Sequence, residues 1–374
     1  MLSDCLAGFR ILDLSQYLPG PFAAQILSDL GAEVVKLEPP AGDPMRGLGP
    51  RDRDGLSAFY KLVNAGKTVV RLDLKNQTGR QAFEGLLSRA DALVESFRPG
   101  ALAKLGLGPA DLKAINPRLV HCALSGFGQS GPYAKRAGHD ITYMALAGGL
   151  ATSGPAERPA MAHPPTADFA SGLQAALATV AALLRRERSG QGAFLDVSLS
   201  ETVLAWQAAP LTAALRPGWA QTRGASLLNG GAACYQIYET ADGRYFALGA
   251  LEAKFWAAFC QALGRDDWIL RQDEPLPQSA LIAEVAALIA SRPLAHWEAL
   301  LEGVDCCFQP LLEPADVPDH PQVRARGLVQ RSGGSEPLVE VLFPAWLDGV
   351  PPQPRPPLRE VEAAEIAATW GADP

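Results

Sequence analysis

The segment AGHDITYMALAG (137–148) sets a histidine and an aspartate side by side behind a glycine, at the start of an apolar stretch, in a chain with only five histidines. An imidazole titrates near neutral pH and suits proton transfer, so His139 is a candidate acid or base. Asp140 could orient His139 or cap the turn that follows. A lone histidine beside an apolar run is more often a satisfied core or loop residue. Asp168 opens a long apolar segment, and an aspartate at a helix start is most often a cap. The same place suits chemistry, because backbone N–H groups at a buried helix N-terminus can hold a developing oxyanion. A carboxylate there could act as base, acid or nucleophile on a bound carbonyl compound. Glu252 follows the strand-like YFALGAL and is, by composition, an ordinary first-turn acid.

The elements that must position these side chains alternate along the first 125 residues. RILDL (10–14), EVVKLE (33–38), TVVRLDL (68–74), ALVESF (92–97) and RLVHCAL (118–124) read as strands. Helical spacing occupies 21–32, 78–90 and 108–116. The pattern predicts a Rossmann-like parallel α/β domain. A helix is expected over 168–190, apolar nearly all round before Arg185 and stopped by Gly190, and therefore buried. A strand and helix follow over 194–215, then a hairpin around Asp242-Gly243 and helices near 252–263, 278–291 and 294–302. The expected organisation is a large α/β domain over 1–199 and a linker helix region over 200–229. A smaller α+β domain over 230–322 and a C-terminal segment over 323–374 that returns to the large domain complete it.

Several chemistries are excluded by absent motifs. SQYLPGP follows the first strand in place of G-x-G-x-x-G, and there is no Walker lysine loop, H-E-x-x-H or G-x-S-x-G elbow. The glycine-rich ALSGFGQSGP (123–132) is weak evidence by itself. A net charge of −7 with dispersed Lys and Arg argues against nucleic-acid binding. The six cysteines fit neither a zinc knuckle nor a disulfide framework, which gives a cytoplasmic expectation. Neither a signal peptide nor a membrane-length apolar run is read from the sequence.

Over nearly its whole length the chain resembles the family III CoA-transferases (CaiB/BaiF), and within them the α-methylacyl-CoA racemases most. The resemblance rests on LPGPFAAQILSDLGAEVVKLEPPAGDPMR (18–46), NAGKTVVRLDLK (64–75), ESFRPGALAKLGLG (95–108), LSGFGQSGPY (124–133), AGHDITY (137–143) and ADFASG (167–172). TRGASLLNGGAACYQIYETADGRYFALGALEAKF (222–255) and DCCFQPLLEPADV (305–317) complete it. It implies that His139 and Asp168 are two catalytic acid/bases, that Glu252 accompanies His139 and that Asp140 supports them. It places Lys67, Arg98 and Arg46 in the CoA-phosphate region, with Gly126, Gly128 and Tyr133 in the cofactor-binding loop. The substrate would be an acyl-CoA, with no metal or redox cofactor, and the protein an interlocked homodimer without nucleic-acid or membrane partners. VVKLEPPAGDPMR has the form typical of the transferases, so no CoA contact is carried to Glu38, and a transferase with Asp168 as nucleophile stands beside the racemase. In the racemase case His139 and Asp168 flank the α-carbon of a thioester, and the Asp168 N–H holds the enolate oxygen.

Overall fold

The computed structural model describes residues 2–219, 222–331 and 338–371. The apolar runs form parallel strands β1 (Arg10–Asp13), β2 (Glu33–Glu38), β3 (Thr68–Arg71), β4 (Ala92–Glu95), β5 (Val120–Ser125) and β6 (Ala193–Ser198). Every residue of β4 and β5 is buried, as expected for strands covered on both faces. The strands lie in the order β3-β2-β1-β4-β5-β6 and pair parallel throughout. This is the doubly wound order, which reverses direction between β1 and its neighbour β4. Arg359–Glu360 adds a further parallel strand beside β3, at an edge that the sequence pattern did not reveal.

The helices that alternate with these strands are α1 (Pro19–Asp29), α2 (Ala58–Asn64), α3 (Gln77–Leu87), α4 (Pro109–Ile115), α5 (Asp140–Leu146), α7 (Thr166–Ser189) and α8 (Leu199–Trp206); a four-residue α6 (Gly149–Thr152) lies between α5 and α7. Leu12, Val35, Val70 and Leu93 meet Phe83 and Leu87 of α3 and Ile366 and Trp370 of the C-terminal helix (Ala363–Gly371) in one core. Helix α2 had no apolar pattern to announce it. Its signal is Ser57, whose Oγ accepts from the N–H groups of Phe59 and Tyr60.

Helix α7 packs against α1, α5, β5 and β6. It departs from the expectation of full burial: Leu173, Leu177 and Leu184 are 55%, 60% and 61% exposed. It is also long and apolar enough to cross a bilayer by length and composition, contrary to the reading that no segment is. Half of the apolar window is buried in protein, the position of a helix that covers a sheet.

The chain divides into two compact units, one of residues 1–147, 164–205 and 318–374 and one of 148–163 and 206–317. Residues 148–163 therefore leave the large domain expected over 1–199. The cause is local: the Arg223 guanidinium donates to the carbonyls of Ala151, Pro155 and Ala156 and holds that segment in the second unit. That unit holds α9 (Ala208–Ala214), an antiparallel sheet of β7 (Tyr235–Glu239), β8 (Tyr245–Gly249) and β9 (Phe308–Pro310), and helices α10 (Ala253–Ala262), α11 (Ser279–Ile289) and α12 (Leu294–Leu301). Trp256, Trp268, Phe259 and Phe246 fill its core.

Candidate active site

In an open parallel sheet, ligands bind beyond the carboxyl ends of the strands where the strand order reverses. A cleft of about 420 Å³ opens at that place. Its walls come from Gln16 and Tyr17 after β1, Ser96 to Pro99 after β4, the end of β5, and the segment from Ala134 to Tyr143. The Gln16 N–H donates to Ser96 Oγ at 2.9 Å and stitches together the two loops at the reversal. His139 and Asp168 both line this cleft.

Asp168 is not the cap that its position first indicates. Helix α7 begins at Thr166, which leaves Asp168 inside the first turn, and no side chain of its own N-cap residue closes the helix. Asp140 does so from α5: its Oδ1 accepts from the N–H groups of Ala167 at 2.6 Å and Asp168 at 3.1 Å. The Asp168 carboxyl is thereby released from local duty. Burial, reinforced by the negative charge of Asp140, pushes its pKa up to about 7. Gly172, one turn on, lets this end of α7 press on α1, because a Cβ there would stand 2.7 Å from the Pro19 carbonyl oxygen. The same geometry corrects the expected oxyanion donor, since the Asp168 N–H is already bonded to Asp140.

His139 is the extended residue immediately before α5. Thr142 pins its backbone from both sides, accepting from the His139 N–H at 3.0 Å and donating to its carbonyl at 2.7 Å. The imidazole is left on the exposed rim of the cleft, edge-on to the Tyr17 ring at 6.5 Å between centroids. The adjacent residues of GHD thus divide the work: His139 faces the cleft, and Asp140 caps the helix that carries Asp168.

Tyr17 was not foreseen. Its φ of 62° is left-handed, a strained conformation for a bulky residue. The loop that holds it rests on two fully buried ion pairs, Asp13–Lys67 at 2.9 Å and Lys36–Asp43 at 3.0 Å. Lys67 also donates to the Pro21 carbonyl and to Asn64 Oδ1, and burial lowers its pKa to about 8 against the Asp13 charge. It is therefore enclosed by protein, and the expected contact with CoA phosphate is corrected to a structural role. Arg46 is corrected likewise: Glu38 and Glu360 each take one of its nitrogens at 2.6 Å, which ties the C-terminal strand to the sheet.

Of the expected phosphate cations, Arg98 stands exposed on the cleft wall without an ion-pair partner among the described residues. Arg136, which sequence reading passed over, joins it and stacks on the Tyr133 ring at 3.7 Å. Tyr133 in turn meets Phe127 edge-on, so it serves as a platform for Arg136. Gly126 lines the cleft, whereas Gly128 turns the following loop so that Gln129 N–H reaches Asp196. Glu252 lies in the second unit as the residue before α10, exposed and making no side-chain cap.

A profile of CoA-transferase family III matches residues 6–359. The chain is 36% identical over 330 residues to an alpha-methylacyl-CoA racemase of Homo sapiens, covering 86% of this chain and 81% of that protein. It is 35% identical over 346 residues to a succinyl-CoA:glutarate CoA-transferase of Mus musculus, covering 87% and 78%. The crystal structure of a CaiB/BaiF family protein from Brucella suis superposes with a TM-score of 0.84 at 30% identity, over 98% of this chain and 99% of that one. The family match and the superposition span nearly the whole chain, and the chain belongs to CoA-transferase family III, as an enzyme of the superfamily that holds both racemases and CoA-transferases.

Proposed function

We propose that this enzyme inverts the α-carbon of a 2-methylacyl-CoA thioester. The observation that carries the reading is the pairing, on one cleft, of an exposed imidazole with a carboxyl that keeps its proton up to about pH 7. His139 takes the α-proton. The electron pair of the broken C–H bond moves into the α-carbon–carbonyl bond, and the thioester oxygen becomes an enolate oxygen. Asp168 then gives its proton to the opposite face of the α-carbon and becomes a carboxylate. The reverse reaction exchanges the roles. Arg98 and Arg136 suit the phosphates of CoA. General acid–base groups of this kind contribute roughly 10²–10⁴ in rate each.

The second reading is CoA transfer, in which the Asp168 carboxylate attacks the thioester carbonyl, CoA departs as its thiolate from the aspartyl–acyl anhydride so formed, and CoA then passes to an acceptor acid. It is supported by transferases among the relatives and by a carboxyl that makes no side-chain hydrogen bond among the described residues. Incubation with 2-methylacyl-CoA in D₂O, with no acceptor acid, separates the two. Deuterium entering at the α-carbon is the expected result. No α-deuterium there, together with exchange of CoA once an acceptor acid is added, would replace the racemase with the transferase.

A further inference from the structure

A racemase must stabilise an enolate oxygen, and the Asp168 N–H that would ordinarily do so is bonded to Asp140. Another donor must face the thioester. Ser125 Oγ, at the end of β5, is fully enclosed and out of a ligand's reach. Tyr17 turns its ring edge-on to His139. Tyr143 remains.

Tyr143 lies on α5, one turn beyond His139, with only 7% of its surface exposed. It lines the cleft together with Asp168. Two glycines make room for its ring: a Cβ on Gly126 would stand 2.6 Å from the phenol oxygen, and one on Gly138 would stand 2.6 Å from the ring edge. Phe127 packs edge-on against it at 5.1 Å. A buried tyrosine hydroxyl usually finds a partner. This one has none among the described residues, although the ring is held on every side. Burial, with the Asp168 charge next in effect, pushes the phenol up to about 12, so it stays a neutral donor over the range in which Asp168 titrates.

We propose that the Tyr143 hydroxyl is the hydrogen-bond donor to the thioester oxygen, and that Gly126 and Gly138 admit its ring for that purpose. The proposal rests on the racemase reading. The hydroxyl donates a hydrogen bond as charge develops on the oxygen and keeps its proton. The α-proton still passes to His139, and the incoming proton still comes from Asp168. A single preorganised donor of this kind is worth about 10²–10³ in turnover.

The test is Tyr143→Phe, which preserves the ring and removes a hydroxyl that bonds nothing among the described residues. Its α-deuterium incorporation is compared with that of the wild type at saturating 2-methylacyl-CoA, alongside the melting temperature. The expected result is a fall in kcat of about 10², with KM and melting temperature nearly unchanged. A variant that exchanges within twofold of the wild type, or that changes only KM, overturns the role of Tyr143 and leaves the racemase standing. A wild type that incorporates no α-deuterium overturns the racemase and this role with it.

Discussion

At the scale of single residues, the site depends on a carboxyl that is uncomfortable when charged. Asp168 loses its proton near pH 7 in the fold, against about 4 in an unfolded chain. Below pH 4 both states carry the proton and nothing is lost. Between 4 and 7 the unfolded chain ionises first, so the folded state loses stability as pH rises, and the loss is complete above 7. Asp168→Asn removes this cost. Its melting temperature should exceed that of the wild type, with a gap that widens from pH 4 to pH 8 and corresponds at most to roughly a few kcal/mol. Turnover should fall by about 10²–10⁴. A gap that is constant or shrinks with pH would mean that the carboxyl is not held protonated. Only part of this arrangement is written in the sequence. The types of His139 and Asp168 are visible, and AGHDITY and ADFASG are specific together. That Asp140 closes the helix of Asp168 is a contact between segments 27 residues apart, which no local pattern encodes.

At the scale of elements, the loop after β1 shows how a motif residue can serve the scaffold. Lys67 joins β1, α1 and α2 through Asp13, the Pro21 carbonyl and Asn64. Lys67→Met would strand the Asp13 carboxylate in a dry site, at a cost of about 3–5 kcal/mol. Denaturant unfolding should show that loss, while the KM for acyl-CoA of the protein that remains folded stays near wild type. Wild-type stability with a raised KM would return Lys67 to the ligand. In the sequence Lys67 looks like a cation of a binding loop, because NAGK carries no sign of depth. Its buried partner is 54 positions away. Strands β1 to β6 were legible, since runs such as ALVE and VHCALS are apolar on both faces. The two-residue strand at 359–360 was not, because two residues show no period.

At the scale of the whole molecule, Glu252 belongs to a different unit from His139, and the exposed Leu173, Leu177 and Leu184 leave an apolar stripe along α7. Both features support the proposal of an interlocked homodimer in which Glu252 of one copy accompanies His139 of the other. Mixing inactive His139→Ala and Glu252→Ala proteins, followed by subunit exchange, should then restore up to about a quarter of wild-type activity, since one of the two sites in a mixed dimer is intact and half the dimers are mixed. No recovery after demonstrated exchange would place both residues of a site on one chain. The sequence by itself determined the parallel α/β class, the family and the candidates for the reacting side chains, because hydrophobic period and short motifs act over a few residues. Only the tertiary structure decided which charged residues face the cleft and which are locked beneath it. Depth, ion pairing and the caging of Tyr143 arise where distant segments meet, and the same lysine or tyrosine can be a ligand contact or a structural tie depending on what the fold packs around it.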